Sequence, residues 1–180
     1  MTLREVLEDM KEQQSASRPP DDLQCLAVLV VIGLLFLNAM SFYPVHRARA
    51  AVAEALSFGS FLAMGMTEYR ASTGRWPEDD AAQASVSGSH GDAGLGKYAD
   101  KADIDSGGGI RISFRDDAGR LAGTALSFRA AVSTFSEDAP VLWLCGYRPP
   151  PAGYRAEAEN HTTVSASLLP AVCLAPEPVT

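Results

Sequence analysis

Residue types able to do chemistry are few in this chain and poorly grouped. Three cysteines (Cys25, Cys145, Cys173) and three histidines (His46, His90, His161) are scattered over 180 residues. There is no CxxC spacing, and no histidine falls near enough to Cys145 or Cys173 to suggest a zinc site, so no metal is expected. No serine, histidine and aspartate constellation or nucleotide fingerprint stands out. Ser106-Gly-Gly-Gly109 lacks the Lys-Ser/Thr pair that follows a phosphate-binding loop, and it leads into a strand; it reads as a flexible turn. Asp116-Asp117 falls in a turn and reads as a solvated pair. The chain is therefore expected to be no enzyme, to need no cofactor and to have no small-molecule substrate. Arg111, Arg115, Arg120 and Arg129 could bind nucleic acid only if adjacent strands aligned them; their alternation favours a solvated sheet face. A formal net charge of −7 also argues against a dedicated nucleic-acid binder, which needs a basic face.

The elements that must position these residues begin with an uncharged run from Cys25 to Tyr43, CLAVLVVIGLLFLNAMSFY. As a helix it is about 28 Å long, close to the thickness of a bilayer core. Two other readings stay open. One is a buried core helix. The other is a signal peptide cut near Ala48-Arg49-Ala50, against which the long acidic leader and the length of the apolar core both count. From His46 to about Ser72 the pattern stays helical, with an apolar stripe at Ala55, Phe58, Leu62, Met66 and Tyr69 spaced three or four residues apart. Gly74 and Pro77 supply a stop. One helix is thus expected to run from a membrane into a globular domain.

Residues 78–109 are rich in Ser, Gly, Asp and Ala and read as a long connecting loop with at most one short element. Strand patterns follow at Ile110, Ile112 and Phe114, at Leu126, Phe128, Ala130 and Val132, and from Val141 to Cys145. Short turns between them predict an antiparallel sheet whose apolar face covers the helix stripe. Beyond Gly146 the chain, with Pro149-Pro-Pro151, reads as irregular. Arg47 and Arg49 after the span would place the domain in the cytoplasm by the positive-inside rule. On the other side of the membrane, Cys145 and Cys173 read as a disulfide, which in the chain-entropy model would stabilise the fold by roughly 3–4 kcal/mol. The domain pattern favours that second topology.

Ala50-Ala-Val-Ala-Glu-Ala-Leu56, Thr67-Glu-Tyr69, Gly74-Arg-Trp-Pro77, Gly96-Lys-Tyr98, the Ile110–Phe114 strand and Trp143-Leu-Cys-Gly146 occur in an order that resembles type IV pilins. Leu169-Pro170 and Cys173 look like the end of the family's disulfide loop. The resemblance covers roughly residues 25–173. It implies an α+β fold: a long N-terminal transmembrane and amphipathic helix packed on an antiparallel β-sheet, with a C-terminal loop bounded by Cys145 and Cys173. The expected organisation is a polar leader over 1–24, a transmembrane segment over 25–43 and a globular domain over 44–180 that includes the helix extension. The helix–sheet core is expected at Phe58, Leu62 and Met66.

The resemblance also implies a structural subunit of a type IV pilus or related surface fibre serving adhesion, motility or DNA uptake. Its partners would be other pilin subunits, reached through the N-terminal helix, the inner membrane, and a host surface or DNA. The domain would lie on the periplasmic side and become extracellular on assembly. Family precursors carry a short basic leader, then glycine before the cleaved bond, then Phe-Thr-Leu-Ile-Glu. Here Pro19 falls at the glycine, Pro20 at the phenylalanine and Gln24 at the glutamate, and the helix proline moves to Pro44. Proline restricts both itself and the residue before it, and Gln24 lacks the charge that would pair with a new amino terminus. These departures point to a retained leader, and so to an alternative: an uncleaved membrane-anchored accessory that does not enter the fibre.

Overall fold

The structure, a computed structural model, describes residues 22–78, 83–84, 86, 95–136 and 139–176. Two compact units divide the chain, 1–43 and 44–180. Helix α1, Asp22–Thr73, runs through the boundary with Pro44 inside it. Proline has no N–H to offer the carbonyl four residues back, so the ladder loses one bond there. At its end Gly74 takes φ +77°, and its N–H reaches the Arg70 carbonyl at 2.8 Å. Glycine pays no Cβ penalty in that left-handed position, and Pro77 cannot continue the helix.

In the first unit, the large apolar side chains from Leu23 to Tyr43 are between 55 and 76 % exposed. A helix apolar on every side is stable only inside another apolar medium or among other helices. Asn38 is a polar residue within this stretch, and its amide donates to the Leu34 carbonyl at 2.8 Å within the same helix. A polar group that satisfies itself locally lowers the cost of an apolar setting.

The second unit is built on a five-stranded antiparallel sheet. Strands β1 (Ala99–Asp105), β2 (Gly109–Phe114), β3 (Ala125–Ser133) and β4 (Leu142–Cys145) lie in that order, and β5 (Tyr154–Ala156) pairs with the far end of β3. Ile110, Ile112 and Phe114 of β2 and Leu126, Phe128 and Ala130 of β3 are buried, as period-two alternation requires of one sheet face. Two strands depart from the sequence expectation. Residues 99–105, expected within a loop, form β1; four charged residues in ADKADID hide a strand whose buried residues are Ala99 and Ile104. Charge on an edge strand is a common guard against unwanted pairing. Residues 154–156, expected as irregular, pair with Ala131–Ser133 as β5. Three residues carry too little pattern to be recognised.

Helix α1 meets the sheet along Ala48, Ala51, Val52, Ala55, Gly59, Leu62, Ala63 and Met66, all buried. Leu62 is 1 % and Met66 0 % exposed, whereas Phe58 and Tyr69 are half-buried beside the core. The buried line passes through Gly59 because Phe128 of β3 occupies that space: a Cβ on Gly59 would fall within its ring. Phe58 instead turns aside and stacks with Phe61 at 6.4 Å between centroids. Small residues on the helix thus receive large residues from the sheet, which interlocks the layers at interior density.

Two outcomes follow for the full chain unfolded by denaturant in detergent micelles. Leu62→Ala should cost about 2–5 kcal/mol, as for other core leucines. Gly59→Ala sets two effects against each other. Helix propensity alone would stabilise by about 0.8–1 kcal/mol, but forcing a methyl into a packed ring costs about 1–3 kcal/mol. The expected sign is destabilising; a more stable variant would show that Phe128 yields freely.

Candidate functional site

Two surfaces carry what could be functional chemistry: the apolar half of α1 and the segment closed by the two distal cysteines. Cys145 and Cys173 are bonded to each other across a separation of 28 residues. Cys25 takes no part in that bond and lies exposed on the apolar half of α1. The tightest spot beside the disulfide is Gly146, at φ +58°, where an added Cβ would stand 2.8 Å from the Cys173 carbonyl oxygen. The Gly146 N–H donates to Ser127 on β3 at 2.9 Å, and the Tyr147 N–H to the Cys173 carbonyl at 2.8 Å.

The rest of the segment is held by β3. Thr163 and Ala125 exchange bonds, with the Thr163 N–H on the Ala125 carbonyl at 2.9 Å and the Ala125 N–H on the Thr163 hydroxyl at 2.9 Å. The Ser127 N–H donates to the Thr162 hydroxyl at 3.1 Å, and the Ser127 hydroxyl oxygen accepts from the His161 N–H at 3.0 Å. Residues 161–163 therefore do part of the work of a strand without being one, and they satisfy backbone groups that would otherwise be buried bare. Tyr147 closes the turn by donating its hydroxyl to the Val164 carbonyl at 2.9 Å.

Three of the four arginines that might have formed a basic patch, Arg111, Arg115 and Arg129, have partners within the domain. Arg129 donates to the carbonyls of Arg148 at 2.7 Å and Gly146 at 3.3 Å, pinning the start of the disulfide-bounded segment. Burial lowers the pKa of its guanidinium from the ordinary value, but arginine stays protonated in proteins, so this tether does not switch with pH. Arg111 pairs with Asp105 of β1 at 3.4 Å, and Arg115 with Asp117 at 3.1 Å. Arg120 is exposed in the turn between β2 and β3. Among the described residues, no group of three or more His, Cys, Asp or Glu is placed to hold a metal.

Two sequence motifs distant in the chain meet in space. Trp76, from Gly74-Arg-Trp-Pro77, packs edge to face on Trp143, from Trp143-Leu-Cys-Gly146, with centroids 6.0 Å apart. The Trp143 indole N–H donates to the Thr67 hydroxyl on α1 at 3.0 Å, and the Trp76 indole N–H to Glu157 at 2.7 Å. Glu157 lies 81 residues from Trp76, and no periodicity links them, so sequence reasoning missed this cluster. Gln24 sits exposed near the start of α1, while Pro19 and Pro20 lie outside the described residues.

A helix stripe thus lies on a four-strand meander, closed by a disulfide-bounded C-terminal segment. Residues 48–174 match the pilin family, described as a bacterial filament protein. The chain belongs to the pilin family. The matched span starts at Ala48, the first buried residue of α1, and ends at Leu174, just past the disulfide. This pilin is similar to the type IV major pilin protein PilE1 of Neisseria gonorrhoeae, 26 % identical over 158 residues that cover 84 % of this chain and 83 % of that one. It is also similar to the type IV major pilin protein PilE of the same organism, 26 % identical over 125 residues, covering 69 % and 71 %.

The disulfide is expected to carry a large share of this pilin's stability. Replacing both cysteines (Cys145→Ser with Cys173→Ser) should lower the unfolding free energy by roughly 3–4 kcal/mol for a loop of this size. Denaturant unfolding of the wild type in the presence and absence of reductant provides the matching measurement. A loss below about 0.5 kcal/mol, typical of surface changes, would show that the hydrogen bonds to β3 hold the segment unaided.

Proposed function

We propose that this pilin is a structural subunit of a type IV pilus or related surface fibre, used in adhesion, motility or DNA uptake. The observation that carries the reading is the apolar half of α1, exposed on all sides and joined in one helix to a pilin domain. In the inner membrane that segment is solvated by lipid. In a fibre the same side chains pack against the equivalent segments of other subunits, replacing one apolar medium by another. The similar proteins of Neisseria gonorrhoeae are named as type IV major pilins, which supports the subunit reading. The domain would then lie on the periplasmic side before assembly, where its disulfide can form.

A second reading is favoured by Pro19, Pro20 and Gln24: an uncleaved accessory that stays anchored in the inner membrane. Cleavage needs an extended, accessible bond, and a Pro-Pro pair is a poor substitute for Gly-Phe. Gln24 also offers no charge to pair with a neighbour's amino terminus.

Fractionation with intact-mass measurement separates the two. For a subunit, filaments sheared from the cell surface should contain the chain at a mass lacking its leader. Full-length mass confined to the inner membrane would establish the accessory instead. In that case the triple change Pro19→Gly, Pro20→Phe and Gln24→Glu should shorten the chain and move part of it into filaments.

A further inference from the structure

We propose that Arg47 and Arg49 hold the phosphate groups of anionic phospholipids where α1 leaves the bilayer. The inference rests on the reading that the apolar half of α1 lies in the inner membrane, and it holds for subunit and accessory alike. The uncharged run ends at Tyr43, and Arg47 and Arg49 follow four and six residues later. Along a helix those steps rise about 6 and 9 Å. The headgroup layer on each side of a bilayer is about 5–8 Å thick, and helical side chains lean back toward the N-terminus. Both guanidinium groups can therefore reach lipid phosphate.

The two residues are exposed on opposite flanks of α1, about 200° apart, with the buried Ala48 between them. Each is braced by a different part of the domain. The Arg47 guanidinium stands over the Tyr98 ring, 5.2 Å from its centroid. That contact uses the charge and the ring face and leaves the N–H donors free. Lys97 Nζ approaches the same ring at 5.6 Å and adds a third cation. On the other flank, Arg49 donates from Nη2 to the Ser167 carbonyl at 3.3 Å, which takes one donor of the five a guanidinium carries. Neither arginine forms an ion pair among the described residues. Along α1 the first carboxylate after the run is Glu54, and it accepts the Lys97 backbone N–H at 3.3 Å. At about 16 Å past Tyr43 along the helix, it lies beyond the headgroup layer.

Ligand class follows from charge and place. A guanidinium group matches phosphate oxygens two at a time. Two such groups, with no carboxylate paired to them, favour a net-negative surface over a zwitterionic one, whose own amine already faces the phosphate. Counted by the positive-inside rule, the same arginines argue for a cytoplasmic domain. Contact with lipid phosphate gives them a role in either leaflet, so they no longer oppose a domain placed on the side where its disulfide forms.

The full-length protein in non-ionic detergent would be loaded with equal amounts of phosphatidylglycerol and phosphatidylcholine bearing the same acyl chains. Native mass spectrometry then counts the lipid retained. Phosphatidylglycerol should be retained at least about tenfold more, and salt should narrow the gap. Each basic residue at a bilayer surface is worth about fivefold, so Arg47→Gln and Arg49→Gln should each cut the preference by that factor and together remove most of it. Both positions are exposed, so the variants should keep the wild-type denaturation midpoint. Arg120→Gln, in the exposed turn between β2 and β3, should leave the preference unchanged. Equal retention of the two lipids by the wild type, or an undiminished preference in the double variant, would overturn the headgroup site. An equal loss in Arg120→Gln would overturn it too, by showing an effect of bulk charge. Inorganic phosphate that displaces phosphatidylglycerol at equal concentration would mark a free-phosphate site and overturn the lipid assignment. A chain that retains neither lipid would instead overturn the membrane placement on which the proposal rests.

Discussion

The close approach of α1 to β3 at Gly59 governs the rest of the domain. Only a residue without a side chain leaves room there for the Phe128 ring, and that ring sets how near the sheet lies to the helix. β3 is also the strand from which every later element hangs. β2, β4 and β5 pair with it, and residues 161–163 bond to its remaining backbone groups. Ser127, Ala130 and Ala131 are almost fully buried, so β3 is covered on both faces. Misplacing it would disturb the helix interface and the C-terminal segment together.

The polar contacts follow the same hierarchy. Trp143 on β4 donates to Thr67 on α1, and Arg129 on β3 donates to carbonyls just past β4. These bonds fix positions that apolar packing alone would leave loose, because hydrogen bonds are directional and buried donors are costly when unmet. The disulfide adds a covalent closure to a segment already bonded along β3. Stability in this region rests on hydrogen bonds and a crosslink more than on regular structure.

The sequence made the main architecture legible where a pattern repeats. The helix stripe, the alternation in β2 and β3, the Gly74 stop and the Cys145–Cys173 pairing all rest on periodicity, turn chemistry or family motifs. β1 was hidden because its charges mask the few buried positions, and β5 because three residues hold no period. The step of the buried line onto Gly59 was illegible for a different reason. A helical wheel places Phe58 near the core, but only the partner ring from β3 shows that the adjacent glycine is the residue in contact. The cluster of Arg70, Trp76 and Glu157 was likewise invisible, since it is made by tertiary contact across 81 residues.

The bonding of residues 161–163 along β3 also bears on how the chain reaches this fold. β3 cannot complete its backbone bonding until a segment some 35 residues further on has arrived, as the separation between Ser127 and Thr162 shows. Contacts of that span are made late and slowly, because the intervening chain must close before they form. The domain therefore stays unfinished until nearly its whole length is available, with a half-paired strand exposed meanwhile. The crosslink then acts as a latch on the order of assembly: the bond between Cys145 and Cys173 holds the last segment in place once it has docked.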